Sequence, residues 1–414
     1  MKATKGDMLL ATALMGREKD DIVQDALDFV RDHLDMEIGY LSEFQGDELV
    51  FRRVSAPGLE DMISVGDTTP LDQVYCPLIL SGDLPELIPD TAHEPLTQDI
   101  PLTHTLPIRA HVTVPIHRRD GTPYGMFCCL SRSPRPSLNA RDLEVMRAFA
   151  KLSSDTINET LAHQAETEGI RDRILETIEK TQFNIAYQPI MDSANRRPKG
   201  FEALCRFTAE PYRTPDKWYA EAESVGIQAD LEISAIVSAL EGLKVLPPET
   251  YISVNASPAT ILTGRMAEVL REQPAERIVL ELTEHAAVAC YDTLLKELDI
   301  LRLMGVRIAI DDAGAGYSGL QHIVLLRPDL IKLDISLTTK VDQDVVRRSL
   351  AAALVEFARK TGACIVAEGV ETEAEFDALQ DLGVDLMQGY LLGRPEDIAR
   401  AQSWFTEADT RDVG

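Results

Sequence analysis

Eleven polar residues recur at the ends of apolar runs in the second half of this 414-residue chain. They are Glu202, Asn255, Glu281, Glu284, Asp311, Asp312, Lys332, Asp334, Glu368, Glu371 and Gln388. Many fall in or beside IVLELTE, VRIAIDDAG, DLIKLD and CIVAEGVE, stretches whose other residues read as buried. An ionised carboxylate taken out of water without compensation is so costly that it would take up a proton instead. Two carboxylates about 4 Å apart repel by roughly 4 kcal/mol even at an effective dielectric near 20. A cluster of several such groups is tolerable only around multivalent cations, so these residues predict a metal site with oxygen ligands.

The elements that must position them follow from the spacing. From residue 183 onward, short strand-like runs (FNIAYQPI, GFEALCRF, YISVNAS, RIVLELTE, VRIAIDD, LIKLDIS, ACIVAEG, LMQGYLL) alternate with amphipathic stretches such as Trp218 to Leu246 and Val345 to Thr361. Alternating strands and helices predict a parallel sheet. About eight such units close most economically into a (β/α)8 TIM-like barrel, an α/β fold whose reactive groups collect at the C-terminal strand ends. The carboxylates fall there.

The chain is too long for one ordinary domain and suits two, at roughly 100–200 residues each. Its net charge of −27 and pI of about 4.7 argue against a nucleic-acid polymer or an anionic membrane as partner, since both are bound through clustered Lys and Arg. Six cysteines show no C-x-x-C pair, and they read as reduced thiols of a cytoplasmic protein. The stretch MLLATALMG imitates a signal peptide, but its helical period runs on into REKDDIVQDALDFV, which predicts a leading helix. No run reaches the roughly 18 apolar residues that span a bilayer, so membrane insertion is not expected.

The first 150 residues read as a different, α+β module. A helix over about 8–35 precedes the pair GYLSEFQGDELVFRRVSA, with its turn at Gly46-Asp47. A Pro- and Asp-rich section (57–105) separates this from a second pair, AHVTVPIHRRDGTPYGMFCCLSR, turning at Asp120-Gly121. The segment VYCPLILSGDLPELIPDT with the second pair resembles a GAF domain, a small-molecule-sensing or dimerising module. No bilin-attachment or cyclic-mononucleotide signature is evident, so its ligand, if it has one, is unknown. His93, His104, His111 and His117 read as ordinary polar surface or pocket residues. Leu138 to Thr181 reads as a helix with apolar residues at imperfect three-and-four spacing, suited to pairing with its copy in a homodimer.

The strings YQPI, GFEALCRF, SVNAS, ELTE, DDAGAGYSGL, DLIKLD, VAEGVET and QGYLLGRP, in this order between about 180 and 405, resemble the EAL domain, a bacterial phosphodiesterase specific for cyclic di-GMP. The resemblance implies two metal ions per active site. Glu202, Asn255, Glu281 and Asp311 would hold the first; Asp311 would bridge to a second completed by Asp312 and Glu368. Oxygen ligands with one amide suit Mg²⁺ or Mn²⁺, whereas zinc more often recruits His or Cys. Lys332 would orient the nucleophilic water with Glu368 as its base, and Glu371 and Gln388 would support the site.

By the same resemblance, Arg206 would grip a phosphate, Gln188 would approach a guanine, and Asp334, Arg394 and Pro395 would line the substrate side. Glu284 would anchor the loop DDAGAGYSGL, which couples metal binding to dimerisation in the family. Its third position is usually Phe and is Ala313 here, which puts its regulation in doubt without removing a ligand. The boundaries read as 1–150 for the GAF-like domain, 151–181 for a signalling helix, 182–406 for the EAL domain and 407–414 for a tail. The expected function is hydrolysis of cyclic di-GMP to pGpG, set by the N-terminal module. The alternative is a catalytically weak EAL domain acting as a cyclic di-GMP receptor for a protein partner. No GGDEF-like motif supports a cyclase.

Overall fold

The computed structural model describes residues 19–282, 291–313 and 323–411. The chain divides into two compact units, Met1–Glu166 and Thr167–Gly414.

The first unit is built on a six-stranded sheet in the order β3-β2-β1-β6-β5-β4. Its strands are β1 Ile38–Gln45, β2 Glu48–Ser55, β3 Thr68–Pro70, β4 Leu87–Ile88, β5 Ala110–His117 and β6 Pro123–Ser131, all pairing antiparallel. Both expected hairpins form, with Gln45 opposite Glu48 and a left-handed Gly46 closing the first turn. Period-two alternation gives the sheet two buried faces. Leu41, Val112, Val114, Phe127 and Cys129 pack under the Lys19–His33 helix and the start of the Ala140–Glu179 helix. Tyr40, Phe51, Met126, Cys128 and Leu130 pack under Ile63, Tyr75, Cys76, Ile79 and Leu102 from the irregular section.

The Ala140–Glu179 helix crosses from one unit into the other. Met146, Phe149 and Ala150 belong to the first core, and Ile174 packs with Phe183, Phe207 and Trp218 in the second, while residues 162–166 are exposed.

The second unit is a closed barrel. Its strands are β7 Phe183–Asp192, β8 Pro198–Phe207, β9 Tyr251–Ala256, β10 Ile278–Leu282, β11 Arg307–Ala313, β12 Leu330–Leu333, β13 Cys364–Ala367 and β14 Leu386–Met387. One feature departs from the eight-fold parallel expectation: β7 runs antiparallel to both β8 and β14. Only residues 193–197 join β7 to β8, too few for a crossover helix, so the pair closes as a hairpin. Asp192 fastens this turn by accepting hydrogen bonds from the Ala194 and Asn195 amides at 2.9 and 3.1 Å.

Elsewhere the helices fall where the pattern places them. Val345–Thr361 starts on an Asp344 cap that accepts from the Val346 and Arg347 amides and stops at left-handed Gly362. The long 218–246 stretch is divided into Pro215–Ser224 and Gln228–Leu240 around left-handed Gly226. Ile252, Leu280, Ile308, Ile310, Ile331 and Leu333 form the outer wall beneath these helices. Each such fully buried side chain contributes about 1.5–3 kcal/mol relative to exposure. Ile190, Tyr251, Val279, Ala309, Leu330, Val366 and Leu386 fill the barrel interior. Gly200 shares that layer because a Cβ there would lie 2.6 Å from the Tyr251 ring.

Among the described residues no helix is long and apolar enough to cross a membrane.

Candidate functional site

Two residues along each strand from that interior layer, the same inward parity places a polar layer: Gln188, Glu202, Ser253, Glu281, Asp311, Lys332, Glu368 and Gln388. On the parallel strands this second layer lies toward the C-terminal ends. On β7, which runs the other way, the corresponding position precedes Ile190, and Gln188 stands opposite Glu202.

Lys332 is the centre of this layer and is 1% exposed. Its Nζ lies 2.6 Å from Glu368 Oε1, 2.7 Å from Glu281 Oε2, 3.1 Å from Asp311 Oδ1 and 3.6 Å from Glu202 Oε2. Burial opposes the lysine charge, but Glu202, Glu281, Glu368 and Asp311 outweigh it and hold its pKa well above the ordinary value. Burial pushes Glu281 and Glu368 up to about 8, a rise that neighbouring carboxylates increase and Lys332 only partly offsets. One lysine therefore faces more carboxylate than it can neutralise.

Asp311 and Asp312 are consecutive, and in a regular strand they would point to opposite sides. The register between β11 and β12 slips after Ile310: three steps along the chain from Ile310 to Ala313 match two from Ile331 to Leu333. Asp312 takes φ 53, left-handed and unusual for a non-glycine residue. This one-residue bulge turns both carboxylates toward one place. Asp311, Asp312 and Glu368 offer ligand atoms within 4.8 Å of one another. Among the described residues, Asp311 Oδ1 is buried and accepts no hydrogen bond, its approach to Lys332 being an ion pair only. Unshared acceptor capacity and excess negative charge fit divalent cations with oxygen ligands.

Hydrogen bonds orient the remaining groups. Asn255 Nδ2 donates to Glu202 Oε1 at 3.3 Å, leaving its carbonyl oxygen as the ligand atom. Gln388 Nε2 donates to Glu202 Oε2 at 2.7 Å and to Gln188 Oε1 at 3.0 Å, and Gln188 Nε2 donates to the Gly393 carbonyl at 3.1 Å. Ser253 donates to Glu281. Ser253 was not among the sequence candidates, although its place two residues after inward-facing Tyr251 and two before Asn255 is the signal that finds it.

Other candidates have different partners. Glu371 is exposed, and its backbone amide donates to Glu375. Asp334 caps the Ile335–Thr338 helix through the Ser336 amide. Arg206 is exposed at the end of β8, with Nη1 3.0 Å from the Cys205 carbonyl. Arg394 stacks over the exposed Tyr390 ring at 4.2 Å, beside half-buried Pro395. Glu284, Gly314 and Gly316 lie outside the described residues; Ala313 is buried.

Residues 171–395 match the EAL domain and residues 18–157 the GAF domain. The probable cyclic di-GMP phosphodiesterase PdeA of Escherichia coli K12 is 29% identical over 223 residues, 51% of this chain and 30% of PdeA. The bifunctional diguanylate cyclase/cyclic di-GMP phosphodiesterase MucR of Pseudomonas aeruginosa is 30% identical over 53% of this chain and 34% of MucR. The matched stretch thus spans about a third of these relatives' own length. The solved PaMucR phosphodiesterase, a c-di-GMP complex, superposes with a TM-score of 0.51 at 29% identity over 56% of this chain and 99% of that one. The EAL enzyme Bd1971 shares the fold over 89% of this chain and 93% of its own, with a TM-score of 0.54 at 17% identity. With the EAL match covering more than half of its length, this chain belongs to the EAL domain family.

Proposed function

We propose that the barrel hydrolyses one phosphodiester bond of cyclic di-GMP to give linear pGpG, using Mg²⁺ or Mn²⁺. The observation that carries this reading is the convergence of Glu202, Glu281, Asp311 and Glu368 on buried Lys332, with Asp312 turned to the same place by the bulge. The names of PdeA and of the PaMucR complex support the substrate.

Two divalent cations, one held by Glu202, Asn255, Glu281 and Asp311 and the other by Asp311, Asp312 and Glu368, would neutralise the phosphodiester and lower the pKa of the attacking water. Lys332 orients that water. Glu368, tied to Lys332 through Oε1, takes its proton on Oε2. Gln388 holds Glu202 in its ligating orientation. Arg206 reaches a phosphate by swinging from the Cys205 carbonyl, a task to which a guanidinium fork is suited. Gln188, Asp334, Arg394 and Pro395 face the rest of the substrate, Glu371 supports the site, and Glu284 anchors the DDAGAGYSGL loop. The GAF unit adjusts the rate, in a homodimer paired through the long helix.

The purified chain incubated with cyclic di-GMP and Mg²⁺ should yield pGpG by chromatography, and EDTA should stop it. Full turnover after exhaustive EDTA dialysis removes the two-metal account. Binding of cyclic di-GMP with no pGpG formed would favour the receptor reading.

A further inference from the structure

Glu368 is held by its main chain as well as by its carboxylate. Its amide donates to the Leu333 carbonyl at 3.1 Å, and its carbonyl accepts a hydrogen bond from the Thr338 hydroxyl. Both partners belong to one short stretch, the end of β12 and the Ile335–Thr338 helix that follows it. The same stretch carries Lys332, whose Nζ reaches the Glu368 carboxylate at 2.6 Å. Between them, the Asp334 amide donates at 3.4 Å to the carbonyl of Ala313, where β11 ends beyond the bulge. Residues 332–338 are thus a common frame for the lysine, the carboxylate beside it and the end of the Asp311-Asp312 bulge.

Thr338 is fully buried, and its hydroxyl has one proton to give. Two carbonyls lie within its reach: that of Glu368 and, at 3.2 Å, that of Ile335 three residues back. The Ile335 carbonyl already accepts the Thr339 amide at 3.0 Å, whereas among the described residues no backbone amide donates to the Glu368 carbonyl. The hydroxyl therefore contributes most at Glu368, where it satisfies an acceptor that the sheet leaves over. The next residue shows why the sheet cannot supply a donor. Gly369 is left-handed at φ 64, so the chain leaves the line of β13 at once. The helix packs closely on this turn, since a Cβ on Gly369 would lie 2.3 Å from Ile335 Cγ1.

We propose that Thr338 is a positioning residue for Glu368: its hydroxyl fixes the Glu368 main chain, and with it the direction in which the carboxylate leaves the backbone. The inference rests on the reading of Glu368 as base and cation ligand. Lys332 holds one carboxylate oxygen, Oε1, about which the group can still swing. The backbone is the second point of attachment, and it decides where Oε2 falls. Misplacement of a reacting group by about 1 Å can cost on the order of 10²-fold in rate. The amide bond to Leu333 remains when the hydroxyl is removed, so the loss should be smaller than that. Thr338 acts from behind Glu368 and makes no contact with substrate, which places its effect on kcat rather than on KM.

The test compares full-length Thr338→Val, in which a methyl group replaces the hydroxyl at nearly constant shape, with Thr338→Ser. At saturating Mg²⁺, Thr338→Val should lower kcat for cyclic di-GMP by about tenfold, with KM little changed. Calorimetric titration of the substrate-free protein with Mn²⁺ should show a several-fold weaker affinity, because Glu368 is a proposed ligand. Thr338→Ser, which returns the hydroxyl, should recover most of both. If Thr338→Val does not fold, Thr338→Ala takes its place with the same expected losses. An unchanged kcat, or a Thr338→Ser as impaired as Thr338→Val, overturns the proposal. If the wild-type chain itself forms no pGpG, the phosphodiesterase reading fails and the Mn²⁺ titration decides on Thr338: weaker affinity in Thr338→Val supports the positioning role, and unchanged affinity overturns it.

Discussion

Lys332 and Glu368 stand 2.6 Å apart, the shortest of the four ion pairs that the lysine makes inside the barrel. The same ammonium group that compensates the buried carboxylates is therefore the one beside the proposed base. On the proposed mechanism, stability without cations and catalysis with them depend on one side chain.

Lys332→Ala should lower the stability of EDTA-treated protein by about 3–5 kcal/mol, because it leaves buried carboxylates without a partner. Mg²⁺ or Mn²⁺ should recover part of the loss and none of the turnover. Denaturant melts with and without metal measure this, and a melt unchanged in EDTA would contradict the compensating role.

Glu368→Gln keeps the shape of the site and removes the base. Turnover should fall by more than about tenfold, which is more than roughly 1.4 kcal/mol of barrier, while cyclic di-GMP binding stays measurable by calorimetry. A smaller loss would move the base elsewhere.

The pH dependence of the cation-free protein has a definite sign. Glu281 and Glu368 are raised to about 8 in the folded state, so the native protein holds protons there that the unfolded chain has already released. Their stabilising contribution is complete below the ordinary carboxylate pKa and is lost as pH rises through about 8. EDTA-treated protein should be less stable at pH 9 than at pH 6. Cation binding, which needs these groups ionised, should release protons and tighten over the same interval. Calorimetry in buffers of different ionisation enthalpy counts those protons, and zero release at pH 7 would contradict the shifted pKa values.

Gln388→Ala removes the amide that orients Glu202 and ends the link to Gln188. Metal affinity or turnover should drop about 10–100-fold, the range found for groups that orient a ligand. Metal titration of the variant distinguishes this from a loss of substrate contact, which would leave affinity for the ion unchanged.

Asp312 sits at positive φ, a conformation that costs a non-glycine residue about 1–3 kcal/mol. Asp312→Gly should therefore be more stable than Asp312→Ala, although both should lose turnover. Equal stabilities would mean that the left-handed backbone stores no strain.

Much of the site was legible because strand alternation is a strict rule. Val279 and Glu281, Leu330 and Lys332, and Val366 and Glu368 are each separated by two, so a buried apolar residue announces the inward polar one. The same rule contains Ser253, which a search restricted to charged and amide groups passes over. It fails at Asp311-Asp312, where only the bulge brings adjacent side chains together and no local residue type announces the slip. It is silent on Arg206 and Glu371, whose long side chains are exposed and not fixed by packing. The reversal of β7 was missed because a strand-turn-strand stretch was read as part of an alternating series, although residues 193–197 leave no space for a helix.

That reversal has a consequence for how the barrel can be addressed. An all-parallel barrel receives its first strand on the face remote from its reactive groups, so anything attached upstream must act across the full depth of the structure. Here Phe183, where β7 begins, pairs with Phe207, where β8 ends, and the chain enters at the rim that bears the carboxylates. The helix leading into β7 is tethered to that rim through Ile174 and its packing on Phe183 and Phe207. If the upstream module regulates the barrel as proposed, a displacement of the incoming segment would act within five residues of Gln188 and Glu202. One antiparallel strand thus sets the doorway of the domain on the same rim as its carboxylates.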